Sequence, residues 1–422
     1  MTRGLPRSLR RNLAGGSIGS VMDWYDFAVY GYLATILGKA FFPADDPAVS
    51  QMAAFGVFAG GYAARPVGGA LFGWLGDRFG RKPVLSISII AMGVSTFAIG
   101  LLPTYAQIGV AAPVLLIVLR IAQGLCVGGE FPGAMVFLSE HAPSARRGFY
   151  ASWAQAGTFL GVMLGSGAAA LANGVFGAEA MDAWGWRAPF LLSAVIAVAG
   201  FIVRRRIDET PVAETMERAA EPAPILVFRK HWRAMIRIFA LTMLATIGFA
   251  LMFVYAASFL TNRLNVPAAR ALEINTIGLF VMLSVMAPAA ILSDRIGRKP
   301  VLLLGGVGLA LFVWPAWWLM HQPSILAIGA GFIIFAVFYG IYVSQMPSVA
   351  PEMLPASVRV SGTAIGYNLC IGTFGGTTPL VATFLITRTG DDFAPVYYYL
   401  VAAVLALISV ATMKETAGKP LT

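Results

Sequence analysis

Apolar residues run along this chain in long blocks, separated by short polar turns. Blocks occur near 16–38, 50–74, 83–102, 111–138, 148–173 and 187–204, then near 234–262, 270–292, 300–320, 323–347, 360–387 and 394–413. A helix needs roughly 20 apolar residues to cross the hydrocarbon core of a bilayer. The pattern therefore predicts an all-α membrane protein of twelve transmembrane helices. One interruption stands out: Arg205 to Arg233 is charged and contains proline. It reads as a cytoplasmic linker, with a short interfacial helix, between two six-helix bundles at residues 1–204 and 234–422.

The two halves repeat each other. Gly76–Pro83 reads GDRFGRKP and Ser293–Pro300 reads SDRIGRKP, each just after the second block of its half. Glu140 is followed seven residues later by Arg147, and Glu352 seven residues later by Arg359, both between the fourth and fifth blocks. Internal repeats of this kind build many transporters, with the substrate site at the repeat interface near the bilayer midplane. Gly157, Gly161 and Gly165 recur every four residues, a spacing that lets helix backbones approach closely.

Composition agrees with lipid as the solvent. Of 422 residues, 58% are hydrophobic and 12% charged, about half the charged share of soluble domains. The net charge of +10 would suit nucleic acid, but its placement follows the positive-inside rule. Arg3, Arg7, Arg10 and Arg11, the Arg78–Lys82 and Arg295–Lys299 turns, Arg146, Arg147, the Arg204–Arg237 stretch and Arg359 cluster on one side. The opposite turns carry only Lys39, Arg187, Arg263, Arg270 and Arg388. This puts both termini in the cytoplasm and makes a nucleic-acid partner unnecessary. The N-terminal basic stretch lacks a small-residue cleavage site after its first apolar block, so that block reads as a retained helix. Cys126 and Cys370 fall in apolar blocks of different halves and read as buried structural thiols. No nucleophile–base pair, metal-ligand spacing or phosphate loop appears, and neither an enzyme nor a cofactor is expected.

The motifs resemble the major facilitator superfamily. Gly73–Lys82 (GWLGDRFGRK) is similar to its loop 2–3 signature and Arg120–Gly124 (RIAQG) to its fourth-helix motif. Asp23–Gly31 (DWYDFAVYG), Arg65–Gly69 (RPVGG), Val127–Glu130 (VGGE), Trp184–Phe190 (WGWRAPF) and Met413–Leu421 (MKETAGKPL) resemble the metabolite:proton symporter group. That group includes proline/betaine, α-ketoglutarate, citrate and shikimate carriers. The resemblance implies the two-bundle fold and proton-coupled transport. The sequence ends at Thr422 without the long coiled-coil extension of some osmosensory members, which puts osmotic gating in doubt.

A charge inside a span costs several kcal/mol and needs a partner or a task. Five charged residues lie within the spans: Asp23 and Asp26 on the first helix, Arg65 on the second, and Arg120 and Glu130 on the fourth. They sum to one uncompensated carboxylate, the kind of group that cycles a proton. Asp23, Asp26 and Tyr30 share a helix face. Asp26, near mid-depth, reads as the proton-coupling acid with Asp23 tuning it; the alternative is a permanent pair between Asp26 and Arg65 or Arg120. Arg65 and Glu130 have depths that suit a pair with a structural or gating role. Arg120 is the first choice to hold a substrate carboxylate, with Tyr30 and Arg65 beside it. In the second half Tyr255, Gln345 and Asn368 are the chosen polar contacts, most such groups being interhelical hydrogen bonds. Trp24 and Trp153 read as aromatic walls or packing. Asp77, Arg81, Glu140 and Arg147, and likewise Asp294, Arg298, Glu352 and Arg359, read as two ion-pair networks that lock the inner face.

The resulting expectation is a monomeric, proton-coupled importer in the bacterial inner membrane, taking up a small organic acid such as a di- or tricarboxylate. Proline/betaine-type zwitterion uptake is the alternative, and proton-driven efflux of amphipathic compounds a second one.

Overall fold

In the computed structural model the described residues are 7–212 and 223–421. They form twelve long helices: α1 Arg7–Phe41, α2 Pro47–Phe79, α3 Arg81–Leu101, α4 Ala111–His141, α5 Arg147–Ala180 and α6 Arg187–Arg205. α7 begins at Trp232–Phe249 and continues through a widened turn, Ala250–Tyr255, to Asn262. α8 Ala268–Ile296, α9 Arg298–Met320 and α10 Ile325–Val343 follow, α10 resuming as Met346–Glu352. α11 starts as Arg359–Cys370, widens over Ile371–Gly375 and ends as Thr378–Thr389; α12 is Ala394–Thr412. The helices overrun the apolar blocks at their ends, because helical hydrogen bonding continues through polar residues after hydropathy has faded.

Nine of the described helices are long and apolar enough to cross a membrane, and the bent α11 makes a tenth. The remaining two, α1 and α2, are 35 and 33 residues long but are diluted by Asp23, Asp26, Arg65 and many glycines. The two helices least suited to lipid thus carry three of the buried charges, Asp23, Asp26 and Arg65. Elsewhere large apolar side chains stand outward: Val195, Leu311, Leu380, Phe384 and Val401 are all exposed, as lipid-facing residues are.

The chain divides into two compact units. Unit 1 gathers Met1–His141, Trp153–Ile225 and Ala356–Ile365; unit 2 gathers Ala142–Ser152, Leu226–Pro355 and Gly366–Thr422. Each unit is therefore one sequence half plus a short stretch of the other. Of the linker, Ala223–Lys230 is an eight-residue helix; Arg218 and the rest of 213–222, like Arg3, lie outside the described residues.

In unit 1, α2 and α4 meet along a glycine seam. A β-carbon on Gly124 would strike the carbonyl oxygen of Gly61, and one on Gly128 that of Arg65. Only glycine allows backbones this close. The seam sets the spacing between the helices that carry Arg65, Arg120 and Glu130.

Candidate functional site

Helical spacing puts Asp23 and Asp26 on one face of α1, and unit 1 brings them to a single small cavity with Arg65 of α2 and Arg120 and Gln123 of α4. Arg120 donates from Nη1 to Asp26 Oδ2 at 2.5 Å and to Gln123 Oε1 at 2.7 Å. Gln123 Nε2 returns a bond to Asp26 Oδ1 at 2.8 Å and another to Thr96 Oγ1 at 2.8 Å. Both Asp26 oxygens are thus engaged, in a pair whose side chains are 6% and 3% exposed. The Arg120 guanidinium also lies 4.0 Å from the Tyr30 ring centroid and 5.3 Å from that of Phe58, cation–π contacts to two rings that stack on each other. Tyr30 donates its hydroxyl hydrogen to the Ala54 carbonyl at 3.0 Å, so its oxygen is left as an acceptor only, while its ring packs on Arg120. Of the two arginines that could pair with Asp26, Arg120 is the one it meets.

The expected Arg65–Glu130 pair does not form. Arg65 lies over the Tyr62 ring, 4.4 Å from its centroid. Glu130 pairs with Arg204, which the charge pattern placed in the cytoplasmic set but which is wholly buried. Arg204 Nη1 reaches Glu130 Oε2 at 3.0 Å and Nε reaches the Gly15 carbonyl at 3.1 Å; the Ser88 hydroxyl also donates to Glu130. The signal was present in α6: Ser193, Gly200 and Arg204 fall on its one buried stripe. With Arg204 counted, three buried acids face three buried arginines, and the uncompensated charge inferred from the sequence disappears. Asp23 remains the exception in bonding: it is 3% exposed and its Oδ2 has no hydrogen-bond partner.

The two inner networks form, with their arginines exchanged. In unit 1 Arg81 forks onto Glu140 at 3.0 and 2.9 Å, and the second arginine on Glu140 is Arg359, at 2.7 Å, in place of Arg147. Asp77 accepts the backbone N–H groups of Val360 and Ser361 at 3.0 and 2.8 Å. In unit 2 Arg298 binds Asp294 at 2.8 Å and Glu352 at 3.2 Å, and Glu352 takes Arg147 at 3.0 Å in place of Arg359. Asp294 accepts Gly148 and Phe149 N–H at 2.8 and 2.9 Å. The sequence pairing failed because neighbours along the chain, seven residues apart across a helix start, point in different directions. Asp77 and Asp294 satisfy orphan donors in the first turns of α11 and α5, the place where a carboxylate is most favourable.

In these two networks the sequence reading missed four participants. Glu209 accepts the backbone N–H groups of Arg81 and Lys82, both at 3.1 Å, and the Thr210 hydroxyl donates to Glu140 at 2.6 Å. Glu415 likewise accepts Arg298 and Lys299 N–H at 2.9 and 3.0 Å, and Thr416 donates to Glu352 at 2.5 Å. The available signal was the Glu-Thr pair that follows the last span of each half. Burial works against the charge on Glu415, yet the N–H groups of Ala417, Arg298, Lys299 and Thr416 hold its carboxyl below the ordinary value. Gly80 and Gly297, with φ of 101° and 109°, admit this capping by adopting backbone that side chains avoid.

In unit 2 Gln345 is fully buried and donates to Ser344 Oγ at 2.7 Å and to the Ala289 carbonyl at 3.3 Å. Asn368 is buried as well. Tyr255 is half-buried in the widened turn of α7 and hydrogen-bonds Thr383. Tyr339 and Tyr342 donate to the carbonyls of Ala245 and Leu241 at 2.8 and 2.9 Å, as interhelical ties. Trp153 is 45% exposed, and Trp24 packs on Phe27 with ring centroids 5.0 Å apart.

The Major Facilitator Superfamily profile matches residues 16–378. The proline/betaine transporter of Salmonella typhimurium is 36% identical over 425 residues, covering 98% of this chain and 85% of that protein. The glycine betaine/proline/ectoine/pipecolic acid transporter of Dickeya dadantii gives the same identity and coverage. A putative proline/betaine transporter of Staphylococcus aureus is 34% identical, over 98% of this chain and 90% of that one. Among solved structures, a proton:xylose symporter bound to 6-bromo-6-deoxy-D-glucose superposes with a TM-score of 0.81 at 17% identity, covering 98% of both chains; at that identity the likeness concerns the fold alone. Profile, whole-length relatives and helical fold agree that the chain is a multi-pass membrane transporter and belongs to the major facilitator superfamily.

Proposed function

We propose that this transporter imports small zwitterionic solutes of the proline or betaine kind together with protons. The observation that carries the reading is the Asp26–Arg120 pair in its cavity, joined to relatives that are named for proline and betaine. The expectation of an organic acid rested on Arg120 as a spare cation. Asp26 occupies that cation at 2.5 Å, and the charges of Asp23, Asp26 and Glu130 are balanced by those of Arg65, Arg120 and Arg204, all buried. A net-neutral substrate adds no net charge of its own, so the occupied site gains only the coupled proton, whereas a di- or tricarboxylate would bring several negative charges where the dielectric is low.

Coupling then has a simple chemical form. A substrate carboxylate takes the Arg120 guanidinium, and Asp26, losing its cation, takes a proton. When the substrate leaves, Arg120 reclaims Asp26 and the proton is expelled. The two inner networks, on this reading, lock and release the cytoplasmic side, in a carrier that acts as a monomer in the bacterial inner membrane with both termini cytoplasmic. The test is uptake into proteoliposomes under an inward proton gradient, with proline, betaines and di- and tricarboxylates compared. Accumulation of zwitterions, lost in Asp26→Asn with exchange retained, supports the proposal. Accumulation of a di- or tricarboxylate alone returns the assignment to organic acids, and accumulation by Asp26→Asn removes Asp26 from coupling.

A further inference from the structure

We propose that Asp23 is a second proton station, which takes the proton that Asp26 releases and hands it on towards the N-terminal end of α1. This rests on Asp26 being the coupling acid. Both carboxylates line the same cavity, which offers about 30 Å³ to water centres, room for about two water molecules. They stand three residues apart on one helix face, a rise of about 4.5 Å, a gap that one or two waters bridge. Their bonding differs in the way a relay needs. Asp26 has both oxygens held by Arg120 and Gln123, while Asp23 keeps a buried Oδ2 without a partner.

The charged and titratable groups that face Asp23 are Glu130 and Cys126 on α4, Arg65 on α2, Arg204 on α6 and Asp26 on its own helix. α5 packs on α1 through Gly157 and Gly161, where β-carbons would strike the α1 backbone, and the stretch between these glycines brings no charge. Arg204 is committed to Glu130 and Arg65 lies on Tyr62, and neither donates a hydrogen bond to Asp23 Oδ2. Further towards the N-terminus of α1, Ser20 Oγ and Asn12 Oδ1 are also buried without partners. Buried oxygens of this kind are satisfied by water, and they extend the path. In the transfer an O–H bond of Asp26 breaks and one on Asp23 forms through the intervening water. The Asp26 carboxylate re-pairs with Arg120, and Asp23 then yields the proton to water on the cytoplasmic side. No other reactant is required.

The test uses the full-length carrier in proteoliposomes containing a pH-sensitive dye, with radiolabelled proline or betaine. A gradient of one pH unit supports about tenfold accumulation at one proton per substrate. In Asp23→Asn, exchange without a gradient is expected within about twofold of the parent, because exchange carries no net proton across the membrane and Asp26 can trade its proton with cavity water. Accumulation should fall to about unity, with substrate-linked proton entry abolished; Asp23→Glu should keep both at a lower rate. Parent-like accumulation and proton entry in Asp23→Asn overturn the proposal, as does loss of exchange together with accumulation. If Asp23→Asn yields no monodisperse protein, Asp23→Glu and Ser20→Ala decide. Slowed proton entry with intact exchange supports the relay, and unchanged proton entry in both overturns it. Failure of the underlying reading is recognised separately, by Asp26→Asn that still accumulates substrate.

Discussion

The exchanged arginines make a quantitative prediction. Glu140 is fully buried and accepts two bonds from Arg81, one from Arg359 and one from Thr210. Glu140→Gln removes the carboxylate that two buried guanidiniums share, and breaking a buried pair from one side costs about 3–5 kcal/mol. Arg359→Gln is milder, because Glu140 keeps its fork from Arg81; loss of one hydrogen bond to a charge costs about 1.5–3 kcal/mol. In the Glu140→Gln background the same Arg359 change should cost less, since the Glu140 carboxylate it bonds is already gone. The coupling energy of the Glu140/Arg359 cycle should therefore be about 2 kcal/mol. The Glu140/Arg147 cycle, which joins residues of different networks, should be additive within about 0.5 kcal/mol. Reversible unfolding of the purified carrier in mixed micelles measures both. Additivity for Glu140/Arg359, or equal coupling in the Arg147 cycle, would refute the pairing described here.

Three further outcomes follow from the same geometry. Gly80→Ala places a β-carbon at φ 101° and against Glu209, and should destabilise by about 1–3 kcal/mol in that unfolding assay. Arg204→Gln leaves Glu130 buried without its cation and should cost about 3–5 kcal/mol, visible as a lowered melting temperature; the double change with Glu130→Gln should recover much of it. Glu415→Gln removes a cap and should cost about 1 kcal/mol at neutral pH. Because the Glu415 carboxyl is held below its ordinary value of 4.5, its contribution is complete above that value and is lost as pH falls through the lower, folded one. The variant and the parent should therefore converge in stability only below pH 4.5, and convergence already at pH 6 would contradict the capping role.

Twelve spans, two related halves, the membrane environment and the family were legible in the residues alone. Each depends on local composition or on a repeated short motif: about 20 apolar residues cross a bilayer wherever they sit, and GDRFGRKP and SDRIGRKP announce the repeat without help from packing. Unlike the uncharged Gln123, the four charged residues of the candidate cavity, Asp23, Asp26, Arg65 and Arg120, were also legible, because charge in an apolar block is costly enough to draw notice. Their partners were not. Whether Arg120 met Asp26 or a substrate, whether Glu130 met Arg65 or Arg204, and which arginine reached Glu140 depended on which helix faces came together. Arg204 was read as a loop charge because hydropathy registers where an apolar block ends, while its burial depends on the direction in which one turn of α6 faces. Glu209 and Glu415 lay outside every apolar block, and only the fold gave them helix termini to cap. Pairing energies act over a few ångströms, across residues as far apart as Glu140 and Arg359, so tertiary structure decided them.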